Sequence, residues 1–263
     1  MTAPMKDTNI QLDNDTLSKE QQIEKYGLEI NKVYNEDCMI GMSKIKDKSI
    51  DMILCDLPYG TTQNKWDSVI PLDNLWKEYK RIIKDRGAIV LTSSQPFTSI
   101  LISSNLKMFK YTWTWDKSQI TGFLNSKRQP LRKTEDICVF YKKQCTYHPQ
   151  MTKGKAYKIN RTHGTDNYGK QVANSTVNDG ERFPTNILNI PQVRVKNGHP
   201  TQKPVELGEY LINTYTDDNE IVLDNTCGSG SFLVAAKKTN RSYIGFENDT
   251  EFGYFKMATE RLD

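Results

Sequence analysis

Short apolar runs alternate with amphipathic stretches along most of this chain, and that alternation limits the fold more than any other feature. Ile50 to Cys55 (IDMILC), Gly87 to Thr92 (GAIVLT) and Ile221 to Leu223 are apolar almost throughout, as strands covered on both faces must be. Residues 29–34, Tyr111–Trp115, Ile137–Tyr141 and Tyr243–Phe246 read as further strands. Between them, Pro71–Lys84 carries Leu72, Leu75, Trp76, Tyr79 and Ile82 at helical spacing. Helices are also expected from the capping box Ser18–Gln21 to Gly27, after Asp37, over Gln95–Ser104, from Pro204 to about Tyr215, over Ser229–Lys238 and over Thr250–Arg261. Strands followed by helices in this way predict an α/β fold with a doubly wound, mostly parallel sheet. The length of 263 residues suffices for one such core with an insertion, or for two small domains.

Periodicity fades from Lys142 to Gly198. Tyr147, Tyr157, Tyr168 and Phe183 interrupt basic residues there, and an irregular insertion is expected. Lys142 to Lys203 holds 11 Lys and Arg against 3 Asp and Glu, whereas the rest of the chain holds 25 against 29. Positive charge is therefore concentrated in one segment, as phosphate binding requires and as a solvated basic loop would also show. No run approaches the roughly 20 apolar residues of a membrane span, and the polar first 17 residues are no secretory signal. Five scattered cysteines without paired spacing point to a reducing, cytoplasmic setting and to no metal site.

In open α/β sheets, ligands bind beyond the carboxyl ends of strands. Three such ends carry chemistry here. Asp224-Asn-Thr-Cys-Gly-Ser-Gly-Ser-Phe232 passes from strand through a glycine turn to helix; Gly228 and Gly230 would admit a ligand close to the backbone, or simply make a tight turn. Glu247 of Tyr243-Ile-Gly-Phe-Glu-Asn248 ends a strand 23 residues after Asp224, close to the ~20-residue spacing of a ribose-gripping acid in dinucleotide folds. A helix cap is the plainer use of such an acid. Asp56-Leu-Pro-Tyr-Gly60 sets a carboxylate, an extended X-Pro step and an aromatic ring side by side; an ordinary Pro turn would look the same.

Taken together, these motifs resemble a known family. Asp56-Leu57-Pro58-Tyr59 is similar to the Asp-Pro-Pro-Tyr loop of S-adenosylmethionine-dependent (SAM-dependent) DNA amino-methyltransferases. Asp224–Phe232 resembles their cofactor loop, and His199-Pro-Thr-Gln-Lys-Pro204 resembles the hexapeptide preceding it in the beta class. The order (catalytic loop, basic segment, hexapeptide, cofactor loop) is that class's permuted order, and the likeness spans roughly residues 28–142 and 199–263. Leu57, Asn225 and Cys227 depart from the family pattern.

The resemblance implies a Rossmann-like methyltransferase sheet divided into an extension (1–27), a catalytic half (28–142), a target-recognition region (143–198) and a SAM-binding half (199–263). It implies catalysis by Asp56, Leu57, Pro58 and Tyr59. The Asp56 carboxylate and Leu57 carbonyl would accept the amino hydrogens of a flipped base, and Tyr59 would stack on it. SAM would be held by Asp37, Asp56, Thr201, Gln202, Lys203, Asp224, Thr226, Cys227, Gly228, Gly230, Glu247 and Asn248. Lys203 would pair with its carboxylate and Glu247 with its ribose. Arg161, Lys170, Arg182 and Arg194 are candidate DNA contacts. Asp rather than Ser at position 56 favours N6 of adenine over N4 of cytosine; a non-catalytic DNA-binding module on the same fold is the rival from another class. Double-stranded DNA is the implied partner, and a homodimer and a restriction endonuclease partner are compatible with the class.

Overall fold

A computed structural model describes residues 14–60, 67–161, 174–193, 201–249 and 251–263. Its elements, in chain order, are α1 (Lys19–Tyr26), β1 (Lys32–Tyr34), α2 (Cys38–Lys44), β2 (Ile50–Asp56), α3 (Leu72–Ile82), β3 (Ile83–Ser93), α4 (Phe97–Ser104), β4 (Phe109–Thr121) and β5 (Arg132–Phe140). They continue with β6 (Thr152–Lys153), β7 (Tyr157–Arg161), β8 (Asn174–Asn178), β9 (Glu181–Arg182), β10 (Ile187–Asn189), α5 (Val205–Tyr215), β11 (Ile221–Asp224), α6 (Ser231–Lys238), β12 (Ser242–Phe246) and α7 (Tyr254–Leu262).

The expected doubly wound sheet is present. Its strand order is β1-β12-β11-β2-β3-β5-β4-β10, and every pairing is parallel except the two made by β5. Strand β2 shows why the apolar runs lack alternation. Ile53 and Cys55 enter one buried layer with Leu75, Trp76, Tyr79, Phe97 and Leu101 from α3 and α4. Met52 and Leu54 enter the other with Leu207, Leu211, Phe232 and Leu233 from α5 and α6. Both faces of the strand are core, so both parities must be apolar.

Local signals hold at the first helix. Ser18 Oγ accepts from Gln21 N–H and Gln21 Oε1 from Ser18 N–H, closing the capping box, and Gly27 ends the helix at φ +87°. Three boundaries differ from expectation. Strands β4 and β5 run well past Trp115 and start well before Ile137, because their outer halves form a hairpin with polar residues on both faces. Pro204 caps α5 rather than opening it. Helix α7 begins at Tyr254 because the Asp249 carboxylate first gathers the N–H groups of Glu251 and Phe252 (3.0 and 2.7 Å) into a turn.

The irregular insertion needs correction. Within 143–198, β7 pairs with β8 and β6 with β9 as small antiparallel ladders, and β10 extends the main sheet beside β4. Strands β6 to β9 lie largely exposed with polar sequences, so no apolar face announces them. Their backbone groups are paired, which polarity alone does not reveal.

Two substitutions test this layering. Leu54→Ala removes a fully buried side chain from the central strand and should cost about 2–5 kcal/mol in urea unfolding. Ser18→Ala removes only the cap and should cost about 0.5–2 kcal/mol. Equal, small losses from both would contradict the two-layer core.

Candidate active site

Strands β2 and β11 are neighbours, with Val222 opposite Met52 and Leu223 opposite Ile53. From β2 the chain proceeds to β3 on one side; from β11 it proceeds to β12 on the other. The crossovers diverge, and a crevice opens beyond the carboxyl ends of the two strands. A cavity of about 1090 Å³ lies there. It is lined by Asp37, Asp56, Leu57, Pro58, Tyr59, Thr201, Gln202, Lys203, Asp224, Thr226, Cys227, Gly228, Glu247 and Asn248. Every catalytic or cofactor residue expected from sequence is thus brought together except Gly230. Gly230, at φ +74°, starts α6, and a Cβ there would meet Ala258 of α7 at 3.1 Å. There it packs against α7 and does not itself line the cavity.

Asp56 stands at the tip of β2 with its carboxylate fully engaged. Its Oδ1 accepts from Thr92 Oγ1 at 2.5 Å and from the Tyr59 hydroxyl at 2.8 Å. Its Oδ2 receives the Lys203 ammonium at 2.5 Å. Lys203 is only 7% exposed and also lies 3.6 Å from Oε2 of Glu135, whose Oε1 pairs with Lys117 at 2.9 Å. Burial alone would depress the Lys203 ammonium, but the charges of Asp56 and Glu135 outweigh it and hold it above its ordinary value. Lys203 was expected at the cofactor's carboxylate; here its ammonium sits in the catalytic loop. The Tyr59 ring stacks on Phe97, with centroids 5.3 Å apart. Leu57 is buried, which accounts for an apolar residue where the family pattern has proline.

The cofactor side is joined to this loop directly. Thr226 Oγ1 donates to the Asp56 backbone carbonyl at 3.1 Å. Gly228, at φ +51°, turns its N–H onto Glu247 Oε2 at 2.7 Å, tying the β11 turn to the end of β12. Ser229 Oγ donates to Gln202 Oε1 at 3.1 Å, which brings the hexapeptide alongside. Cys227 is a buried thiol whose pKa burial raises well above the ordinary value, so it packs rather than reacts. Asp37 lines the cavity and also caps α2, accepting from the N–H groups of Met39 and Ile40. Nine carboxylates and three basic side chains line the cavity. That imbalance suits a cofactor carrying a sulfonium and an ammonium, and the volume is ample for it.

Thr92, Lys117 and Glu135 were missed from the sequence. They come from β3, β4 and β5, and no local pattern marks a polar residue at a strand end as facing a distant loop. Among the DNA-contact candidates, Lys170 and Arg194 lie outside the described residues, and only the backbone of Arg161 is described, at the end of β7. Arg182 braces the insertion: its guanidinium donates to Asn178, to the Lys155 carbonyl and to the Glu181 carbonyl, and stacks 4.6 Å from the Tyr157 ring centre. Among the described residues, no group of His, Cys, Asp and Glu is placed to hold a metal, and no helix is long and apolar enough to cross a membrane.

Two cavity carboxyls titrate in the neutral range. Burial, against the Thr226 N–H and with the Asp56 charge, pushes Asp224 up to about 8. Burial likewise pushes Glu247 up to about 7, against the Gly228 N–H. A carboxyl raised on folding gives stability that is fully present below its unfolded value and is lost as pH rises through the folded one. The ligand-free protein should therefore lose thermal stability between about pH 5 and 8. Asp224→Asn with Glu247→Gln should flatten that slope. An unchanged slope would assign the effect elsewhere, for instance to Glu220, which burial and Asp51 hold up to about 7.

The chain is similar to known proteins. Type II methyltransferase M.HpaI of Haemophilus parainfluenzae is 29% identical over 239 residues, covering 84% of this chain and 71% of the relative. DNA adenine methyltransferase YhdJ of Escherichia coli K12 is 25% identical over 260 residues, covering 91% and 85%. In structure, the M1.HpyAVI–SAM complex superposes with a TM-score of 0.60 at 22% identity over 88% of this chain and 98% of the other. The cytosine-N4-specific PvuII DNA methyltransferase gives 0.62 at 15%, over 88% and 85%. At these identities the two structures establish the shared fold. The DNA methylase family model for N6 and N4 methyltransferases matches residues 50–260, about four-fifths of the sequence, and this chain belongs to that family.

Proposed function

We propose that this chain transfers a methyl group from SAM to N6 of adenine in DNA. The observation that carries the reading is that the Asp56–Tyr59 loop and the Asp224–Gly228 turn line one cavity and are joined by the Thr226–Asp56 hydrogen bond. An acceptor loop and a cofactor cradle in register are what methyl transfer to an amino group requires. The E. coli relative's name, DNA adenine methyltransferase, and Asp at position 56 support adenine as the base.

When bound, SAM supplies a methyl group already activated by its sulfonium. Glu247 is suited to accept from ribose hydroxyls, and Asp224 and the Thr226–Gly228 turn to hold the methionine end. The chain's remaining task is to make the amino nitrogen nucleophilic. Its lone pair is delocalised into the ring, and acceptors for its two N–H groups localise it as attack begins. The Asp56 carboxylate and the Leu57 carbonyl are those acceptors. Thr92 and Tyr59 fix the plane of the Asp56 carboxylate, so no reorganisation is needed at reaction. Lys203 pairs with that carboxylate, and Glu135 offers its ammonium a second seat when the amino group takes its place. Base flipping delivers the target, with Tyr59 as stacking platform. The segment 143–198 is the target-recognition region in this reading, supported by its concentrated positive charge. A homodimer and a restriction endonuclease partner remain proposals from the family resemblance.

Unmethylated genomic DNA incubated with labelled SAM, then digested to nucleosides, should yield N6-methyl-2′-deoxyadenosine by mass spectrometry. Asp56→Asn should lower the rate by about 10²–10³-fold or more while the SAM Kd stays within a few-fold. N4-methylcytosine would keep the chemistry and change the base. SAM binding with no product would leave a DNA-binding module.

A further inference from the structure

The charge reading directs DNA contacts to residues 143–198, yet a different element stands at the mouth of the cavity. The β4–β5 hairpin contributes Lys117, Gln119, Thr121, Arg132, Thr134 and Glu135 to the cavity wall. Beyond Thr121 and Arg132 its tip carries Phe123, 74% exposed, and Leu124, 85% exposed, on a single 3-10 turn. No carboxylate occurs between Asp116 and Glu135, a span that holds Lys117, Lys127, Arg128, Arg132 and Lys133. Lys133 pairs with Asp116 at 2.7 Å. Lys127, Arg128 and Arg132 have no carboxylate within ion-pairing distance among the described residues.

Two large apolar side chains at the end of the hairpin have no partner among the described residues to cover them. Their exposure is costly unless something else does so. The surrounding positive charge is unsuited to an apolar protein surface and complementary to a phosphate backbone. Apolar side chains flanked by basic residues, held on a two-stranded arm, are the combination with which proteins wedge open a base step. Resting on the proposed DNA methylation, we propose that the hairpin tip enters the duplex beside the target. Phe123 and Leu124 fill the stack that the flipped base leaves, and Lys127, Arg128 and Arg132 hold the flanking phosphates. The wedge would thereby stabilise the extruded base at the cavity mouth.

Both apolar residues are exposed, so Phe123→Ser with Leu124→Ser should fold normally, with an unchanged thermal midpoint and an unchanged SAM Kd. Methylation of unmethylated phage DNA should show KM for DNA raised tenfold or more. A duplex carrying the mapped site with its target base opposite an abasic position needs less help to open, and should recover most of that loss. Lys127→Gln with Arg128→Gln should instead weaken binding of any duplex and reduce the salt slope by about two. Unchanged KM in the serine variant would overturn the proposal. So would a concentration-dependent self-association, seen by sedimentation, that the serine variant abolishes without change in KM; the tip would then be a contact between copies. Failure of the underlying reading is distinct: the unaltered protein would itself transfer no methyl group to DNA.

Discussion

The site depends on a seam between β2 and β11, strands some 170 residues apart in sequence. The seam is apolar on both faces within the sheet and becomes polar at its carboxyl end. There the Asn225 N–H donates to Cys55 Sγ at 3.2 Å, Cys55 Sγ donates to Asn225 Oδ1 at 2.8 Å, and the Tyr79 hydroxyl donates to the same oxygen at 2.5 Å. One residue further on, Thr226 holds the Asp56 carbonyl. These groups are buried, where an unpaired polar atom costs far more than a hydrogen bond yields in water. The register of catalytic loop against cofactor turn is therefore fixed by what would be lost if it slipped. Asn225, which departs from the family's proline, supplies an N–H that proline lacks and thereby joins the seam.

Electrostatics divides the cavity in two. On the side of the glycine turn, Asp224 and Glu247 are carboxyls whose burial delays ionisation into the neutral range. On the side of the catalytic loop, Asp56 and Glu135 alternate with Lys203 and Lys117. An alternating chain tolerates burial because each charge has an opposite neighbour, whereas a lone buried carboxylate would take up a proton. The same cavity thus holds acids whose burial delays ionisation and an acid paired with a buried ammonium.

Much of the fold was legible because its core strands are covered on both sides. Covering both faces forces unbroken apolar runs such as Ile50–Cys55 and Ile221–Leu223. The outer halves of β4 and β5 and the ladders of the insertion gave no such signal, since most of their side chains are polar and face water or the cavity. The candidate site was legible for a similar reason. Its residues cluster in short motifs directly after strands, where Asp56, Asp224 and Glu247 interrupt apolar sequence. Gly230 shows the limit of such motifs, because a positive-φ glycine looks the same in sequence whether a ligand or a neighbouring helix occupies the space beside it.

The sequence by itself marked the strand ends where an acid or a glycine turn follows an apolar run, the places at which open α/β sheets bind ligands. It also determined the winding of the sheet, because periodicity and length separate strands from helices locally. Tertiary structure decided the partners. That Lys203 meets Asp56, that Thr92 and Glu135 complete the loop, and that the outer strands of the β4–β5 hairpin line the cavity are contacts between elements far apart in the chain. Local patterns record only whether a side chain is buried or exposed; which distant group shares its surroundings is set by strand order, and strand order is a property of the folded sheet.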